Sequence, residues 1–421
     1  MKSRKRILRW IVLVPILLFV IIVLSFIVMT KTESDSDLVR KGSKLSQAEA
    51  GRLEIAVANN PNDVASRTLL LGYYNSVNRS YTEPKRNHVF WLIKNRPDSE
   101  IAGLPAAHLS SGYFQGRALW LEQVEAQSSN RAVVLNAARF LDRKDIGSVA
   151  EKLLTLANDL APDEFEYGER LGHYYYLRLF TESGVQRTVT AAKSVDLLAR
   201  AVNQMKSTPV MQYSSTSVES KNLPSDFAKL LNQKAVVERD VFVVETLQDA
   251  AMAGIESNQL GRAASMASES LVQIKTLIDS GQFGDDDLGK LLVPAFDNLG
   301  EARHRGNLIL CKIALDNGDM ASARKYLVES ANTHGSAVLD SFGPDLSLAK
   351  EMLAKGEKEA VIQYLQGCSR FWKSRREDIA VWVQAINAGR KPDFGIADIN
   401  NHLEESLIQP SQYWDDIGND H

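Results

Sequence analysis

The chain has 421 residues, with 49 Lys and Arg against 52 Asp and Glu and a formal net charge of −3. Five of the bases stand in an N-terminal stretch that holds no acid, so the remainder carries 44 basic against 52 acidic residues, a net −8. A body of that sign is unsuited to gripping nucleic acid, where phosphate neutralisation dominates affinity.

In chain order, residues 1–9 form a basic foot with Lys2, Arg4, Lys5, Arg6 and Arg9, and residues 10–29 run WIVLVPILLFVIIVLSFIVM, in which only Pro15 and Ser25 are not apolar. At about 1.5 Å per residue such a helix covers roughly 30 Å, the hydrocarbon thickness of a bilayer. Its exit, Ser25-Phe-Ile-Val-Met-Thr, has no small-x-small cleavage site, so the segment reads as an uncleaved signal anchor. The basic flank is expected to stay in the cytoplasm, which delivers the body to the extracytoplasmic (periplasmic) side of the inner membrane. Residues 30–45 are polar and read as a tether.

Beyond the tether, apolar residues recur at three- and four-residue spacing, as in AEKLLTLANDLA (150–161) and ARKYLVESA (323–331), and strand signals are scarce. Short helices are expected, starting at local capping signals such as Ser46-Gln-Ala-Glu49. The punctuation Pro61-Asn-Asp, Pro97-Asp, Ser129-Asn130 and Pro162-Asp recurs at intervals of 36, 33 and 32 residues, a helix-hairpin period. Leu71-Gly-Tyr-Tyr74 follows Pro61 and Leu171-Gly-His-Tyr174 follows Pro162, so the first helix of each unit carries the same Leu-Gly-x-Tyr pattern. Further on, residues 314–330 align with 352–368, pairing Gly318 with Gly356, Asp319 with Glu357, Tyr326 with Tyr364 and Leu327 with Leu365. Each copy reads as helix, turn, helix, and a single hairpin cannot bury its own apolar face, so neighbours must stack.

At these residues the chain resembles the tetratricopeptide-repeat superfamily, over about 46–205 and 290–390, although the Trp that opens the family's Trp-x-x-Leu-Gly-x-x-Tyr signature is missing. The block from His334 to Trp372 looks like that of uncharacterised bacterial membrane-anchored proteins of this type. The resemblance implies an all-α fold of stacked antiparallel helix hairpins, a tetratricopeptide-like α-solenoid behind one transmembrane helix, and it supplies no catalytic residues. The Ser-, Thr- and Pro-rich stretch 206–224 divides the body into a first helical region, 46–205, and a second, 225–395, or else is an insertion in one continuous superhelix. Residues 396–421 read as an aperiodic tail.

For chemistry, the chain lacks the phosphate-loop, dinucleotide, zinc-protease, serine-hydrolase and Cys-x-x-Cys signatures, and its seven histidines have no close metal-ligand spacing. No cofactor and no metal are assigned. Cys311 and Cys368 lie in apolar helical patterns, where a buried thiol is the common state, and in an oxidising compartment they are also able to pair. Candidate partner-binding residues are Tyr73, Tyr74, His173 and Tyr174, which offer aromatic contact area, and Arg370 and Trp372 in the basic-aromatic run 370–376; seam packing and a solvated helix end are the competing readings. Asp285-Asp-Asp287 lacks the spaced ligands of a calcium loop, Glu301-Ala-Arg-His-Arg305 reads as a charged helix face, and Asn78-Arg-Ser80 is a glycosylation sequon with meaning only in a eukaryotic secretory route. The leading expectation is a non-enzymatic, membrane-tethered scaffold that binds a protein or peptide of the cell envelope. The alternatives are an enzyme or small-molecule-binding protein built on helical hairpins, with carboxylates such as Glu166, Glu169 or Asp240 brought together by folding, and signalling through the cytoplasmic foot.

Overall fold

The computed structural model describes residues 33–75, 82–210, 225–284 and 287–394. The expected transmembrane segment 10–29, the sequon, most of the stretch 206–224 and the tail lie outside them. No helix among the described residues is long and apolar enough to cross a membrane. The described chain is all-α, with helices and no strand, and it divides into two compact units, one ending at Phe140 and the other starting at Leu141.

The first unit holds α1 (Asp35–Gly42), α2 (Gln47–Asn59), α3 (Val64–Tyr74), α4 (Glu83–Asn95), α5 (Tyr113–Ala126) and α6 (Arg131–Phe140). Residues 35–42 of the stretch expected as a tether therefore fold into a helix. Ser34 caps α1 by accepting from the Asp37 N–H, Asp35 and Asp37 complement its N-terminal dipole, and Arg40 and Lys41 complement the other end. α1 lies across α3 at Gly42 and Gly72, where a Cβ on either glycine would drive into the opposite backbone. The glycine of Leu71-Gly-Tyr-Tyr74 is thus a crossing point. Ser46 and Glu49 form the expected reciprocal capping box at the start of α2. After Pro97 the period is broken, because Glu100–Gly103 and Pro105–Ala107 are short 3-10 turns where the repeat predicts a first α-helix. Pro105 accounts for this, since it disfavours helical dihedrals at Leu104 and cannot donate a backbone hydrogen bond.

The second unit comprises α7 (Ser148–Leu160), α8 (Phe165–Arg178), α9 (Gly184–Ser207), α10 (Ser225–Glu256), α11 (Leu260–Asp279), α12 (Asp287–Leu291), α13 (Val293–Asp316), α14 (Met320–Ser330), α15 (Ala337–Ser341), α16 (Ser347–Ala354), α17 (Lys358–Cys368) and α18 (Arg376–Asn387). Consecutive helices pack as α7 on α8, α8 on α9, α9 on α10 and α10 on α11, and α13 lies on both α10 and α11 before pairing with α14. α14 then meets α17, which packs on α16 and α18. Since α9 and α10 flank residues 206–224 and pack on each other, that stretch joins two helices inside one unit, and the division falls at Phe140 instead. α10 is 32 residues long, unlike the short helices expected, because neither proline nor glycine interrupts it before Gly254.

The aligned repeats take matching conformations. Gly318 and Gly356 both sit in the left-handed region, with φ of 73° and 90°, and each turn leads straight into a new helix whose first residues follow Asp319 or Glu357. Leu327, Tyr364 and Leu365 are fully buried in a core shared with Met352, Trp372 and Trp382. Cys311 and Cys368 belong to that core as free, buried thiols.

Candidate functional site

Three helices of the second unit carry polar residues at helical spacing on one side: Glu169, Arg170, His173 and Tyr176 on α8, Glu245 and Asp249 on α10, and Asn298, Glu301 and Arg305 on α13. The same α8 turns its other side inward, with Tyr167, Leu171 and Tyr174 buried. Gly172 lets α9 approach, since a Cβ there would meet the Leu198 side chain at 2.8 Å. This close seating of α8 fixes where His173 points.

Asp249 joins the three helices. One carboxylate oxygen lies 3.0 Å from His173 Nδ1, and the other accepts from Arg305 Nη2 at 2.8 Å. Arg305 Nη2 also donates to the Tyr176 hydroxyl at 2.8 Å. The Asp249 side chain is only 13% exposed. Burial works to raise its pKa, but the Arg305 guanidinium and His173 overcome this and hold the carboxyl down at about 2. Glu245, one turn earlier, is pushed the other way by burial and by the Asp249 charge, while the Asn298 amide donates to it at 3.0 Å. At the edge of the cluster Arg143, from the loop before α7, forms a two-pronged pair with Glu169 at 2.8 and 2.5 Å, and its guanidinium lies 5.6 Å from the centre of the Phe242 ring. A cavity of about 10 Å³, the scale of one water, is lined there by Arg143, Asp145, Arg170, His173 and Tyr174.

An ionised Asp249 can only accept, so His173 donates to it from Nδ1. Arg143 and Arg305 keep 40% and 30% of their side chains exposed. The stripe therefore presents fixed donors, the groups that recognise main-chain carbonyls and carboxylates.

A second cluster of the same residue types lies in the first unit. Arg67 Nη1 is 3.0 Å from His88 Nδ1, and His88 Nε2 is 3.1 Å from Glu54 Oε1. That oxygen also accepts from the Tyr74 hydroxyl at 2.6 Å. The Arg67 guanidinium lies 4.1 Å over the Trp91 ring, and its Nε donates to the Pro61 carbonyl at 3.0 Å.

Of the residues singled out from sequence, His173 enters the first of these clusters and Tyr74 the second. Tyr73 is buried edge-on against Tyr74. Tyr174 is buried between α7 and α8, where its hydroxyl donates to Glu151 at 3.4 Å and burial pushes its pKa up to about 12. Arg370 Nη2 donates to the Ala331 carbonyl at 3.0 Å, and Trp372 is buried against Trp382. The charged face 301–305 divides, with His304 in the core and Arg305 on Asp249. Glu169 is held by Arg143, and Asp240 is held by its neighbour Arg239 at 2.6 and 2.8 Å. Among the described residues no group of His, Cys, Asp and Glu is arranged to hold a metal. Sequence reading passed over His88, Arg67 and Asp249 and took Arg305 only as part of a charged helix face; for Asp249 and Arg305 the i, i+3/i+4 polar spacing on α10 and α13 was the available signal.

No family model, no curated protein and no solved structure matches this chain.

Proposed function

We propose that the protein is a non-enzymatic, tetratricopeptide-like scaffold, tethered to the inner membrane by residues 10–29, whose helical-hairpin solenoid binds a protein or peptide of the cell envelope outside the cytoplasm. The observation that carries this reading is the Asp249 junction: α8, α10 and α13 are the first helices of three hairpins, and their polar residues meet through one carboxylate. A continuous stripe of donors and acceptors along stacked first helices suits an extended peptide, which offers main-chain groups at regular intervals. The cavity beside it has room for little more than a water, which favours a surface ligand over an enclosed small molecule.

The test is crosslinking in native membranes followed by capture of the full-length, C-terminally tagged protein. Asn298→Arg adds bulk and charge to the stripe at an exposed position, and Lys275→Glu alters the exposed part of α11. The reading expects one envelope protein to be captured by the parent and by Lys275→Glu and lost with Asn298→Arg. Equal capture by both variants would remove the stripe from the binding surface. Extraction of the protein from membranes by alkaline carbonate would remove the anchor.

A further inference from the structure

The first-unit cluster is built around one proton. Arginine has no acceptor, so the short Arg67–His88 contact requires a lone pair on His88 Nδ1. The ring's single proton is therefore on Nε2, donated to Glu54. This wiring ties three helices: Glu54 comes from α2, Arg67 and Tyr74 from α3, and His88 from α4. His88 is buried, and its ring stacks on Tyr74 with centroids 6.1 Å apart.

We propose that the Glu54–His88–Arg67 chain is an acid-sensitive latch, which holds α4 on α2 and α3 while His88 is neutral and releases it when the imidazole takes a second proton. The new proton must go on Nδ1. It then faces the Arg67 guanidinium, donor against donor and cation against cation, and Arg67 has to leave its place over Trp91 and its bond to Pro61.

The other charges around the ring set the direction of the response. Burial opposes the imidazolium, Glu54 favours it by hydrogen bond and by charge, and Arg67 opposes it, with the net effect of lowering the His88 pKa. Lys85, one turn earlier on α4, is buried with Asn75 as its acceptor and is another cation that gives the imidazolium no support. α5 and the 3-10 turn at 100–103 also pack on α4 and carry Arg117, Glu122, Glu125 and Glu100, while the charges that act on the His88 ring are those of Glu54 and Arg67. A protein whose body stands outside the cytoplasm experiences the acidity of its surroundings directly, so the latch would couple that acidity to the packing of the first unit.

The experiment is amide hydrogen exchange on the full-length protein in detergent micelles between pH 7.5 and 5.0, corrected for the intrinsic rate, with ring NMR of His88. Opening of the peptides covering 64–95 is expected to rise by up to about tenfold for each pH unit between the ordinary histidine value and the lowered one. His88→Gln offers an acceptor and a donor but cannot take the proton, and it should flatten that rise. A rise in His88→Gln as steep as in the parent would overturn the latch. Independently of any variant, the neutral His88 ring should show the Nε2–H form and titrate below 6.5; an Nδ1–H ring, or titration at or above 6.5, would overturn it as well.

Discussion

Each unit sets a histidine beside a carboxylate, an arginine and a tyrosine, buried as His88 in the first and half-buried as His173 in the second, and they order them differently. In the first unit the imidazole stands between guanidinium and carboxylate, as Arg67–His88–Glu54. In the second the carboxylate stands between imidazole and guanidinium, as His173–Asp249–Arg305. Order decides which charge state the fold selects. An imidazole touching a guanidinium must be neutral, whereas one that touches only a carboxylate can be charged without losing its hydrogen bond. The same residue types therefore make an acid-labile contact in one unit and an acid-tolerant one in the other.

Removing each carboxylate tests the comparison most severely. Asp249→Ala leaves Arg305 and His173 without their shared acceptor in a mostly buried setting, and it should cost the second unit about 3 kcal/mol, the low end for breaking a buried pair. Glu54 is 36% exposed, so water can replace part of what Glu54→Ala removes, and the first unit should lose only about 1 kcal/mol. Urea unfolding followed by hydrogen exchange, peptide by peptide, separates the two losses. Equal losses would mean that the exposure of the carboxylate does not govern its contribution.

Acid should separate the clusters next. Asp249 has a folded pKa of about 2 against an ordinary value of 3.8. Its contribution, about 2 kcal/mol, is complete above pH 3.8 and is lost as pH falls from there towards 2. His88 is lowered instead, so the stability tied to its neutral form is complete above 6.5 and declines as pH falls below that value. On exchange measurements, peptides of α3 and α4 should loosen at mildly acidic pH, while those joining α8, α10 and α13 keep their Asp249 contribution until about pH 4.

His304 complicates this contrast and can be removed from it. It is buried in the second unit, its Nδ1 lies 2.9 Å from the Ser330 carbonyl, and its Nε2 has no hydrogen-bond partner. Burial, first among the causes, lowers its pKa, so it too withdraws stability as pH falls below 6.5. His304→Phe gives up one hydrogen bond, worth about 1 kcal/mol, together with a desolvated lone pair, and its ring suits the neighbouring Tyr364 and Phe371. The variant should lie within about 1 kcal/mol of the parent at pH 7.5. Below pH 6.5 it should pull ahead, and a variant that followed the parent's acid profile would show that His304 is not the source of that loss.

What the sequence reveals about these features depends on the distance over which the information is spread. The capping box at Ser46 and Glu49 and the turns at Gly318 and Gly356 are written within a few residues, and all were legible. The Leu-Gly-x-Tyr pattern marked two helices correctly, yet the reason for its glycines, a crossing on Gly42 and a seat for Leu198, lies on other helices. The clusters are less legible still. His173 meets Asp249 across 76 positions and Glu54 meets His88 across 34. Such meetings depend on how far each helix is rotated about its axis, which small-residue contacts and packing decide together. Pro105 shows the reverse case, in which one local residue cancels the element that the repeat period called for.

The smallest effect belongs to the tyrosines, and it probes the latch without breaking it. The Tyr74 hydroxyl donates to the same Glu54 oxygen that His88 uses, so it draws on the negative charge that would stabilise an imidazolium. Tyr74→Phe should cost about 1 kcal/mol or less at neutral pH, because the half-exposed carboxylate can turn to water and the ring can still stack on His88. It should also leave Glu54 more fully available to the ring and move the His88 titration upward by a fraction of a pH unit, still below 6.5. In the second unit Tyr176 accepts from Arg305 and does not bond the carboxylate through that contact. Tyr176→Phe should therefore lower stability by a similar amount while leaving the acid profile of the first unit unchanged. An unmoved His88 titration in Tyr74→Phe would show that Glu54 sets its own charge balance independently of the tyrosine.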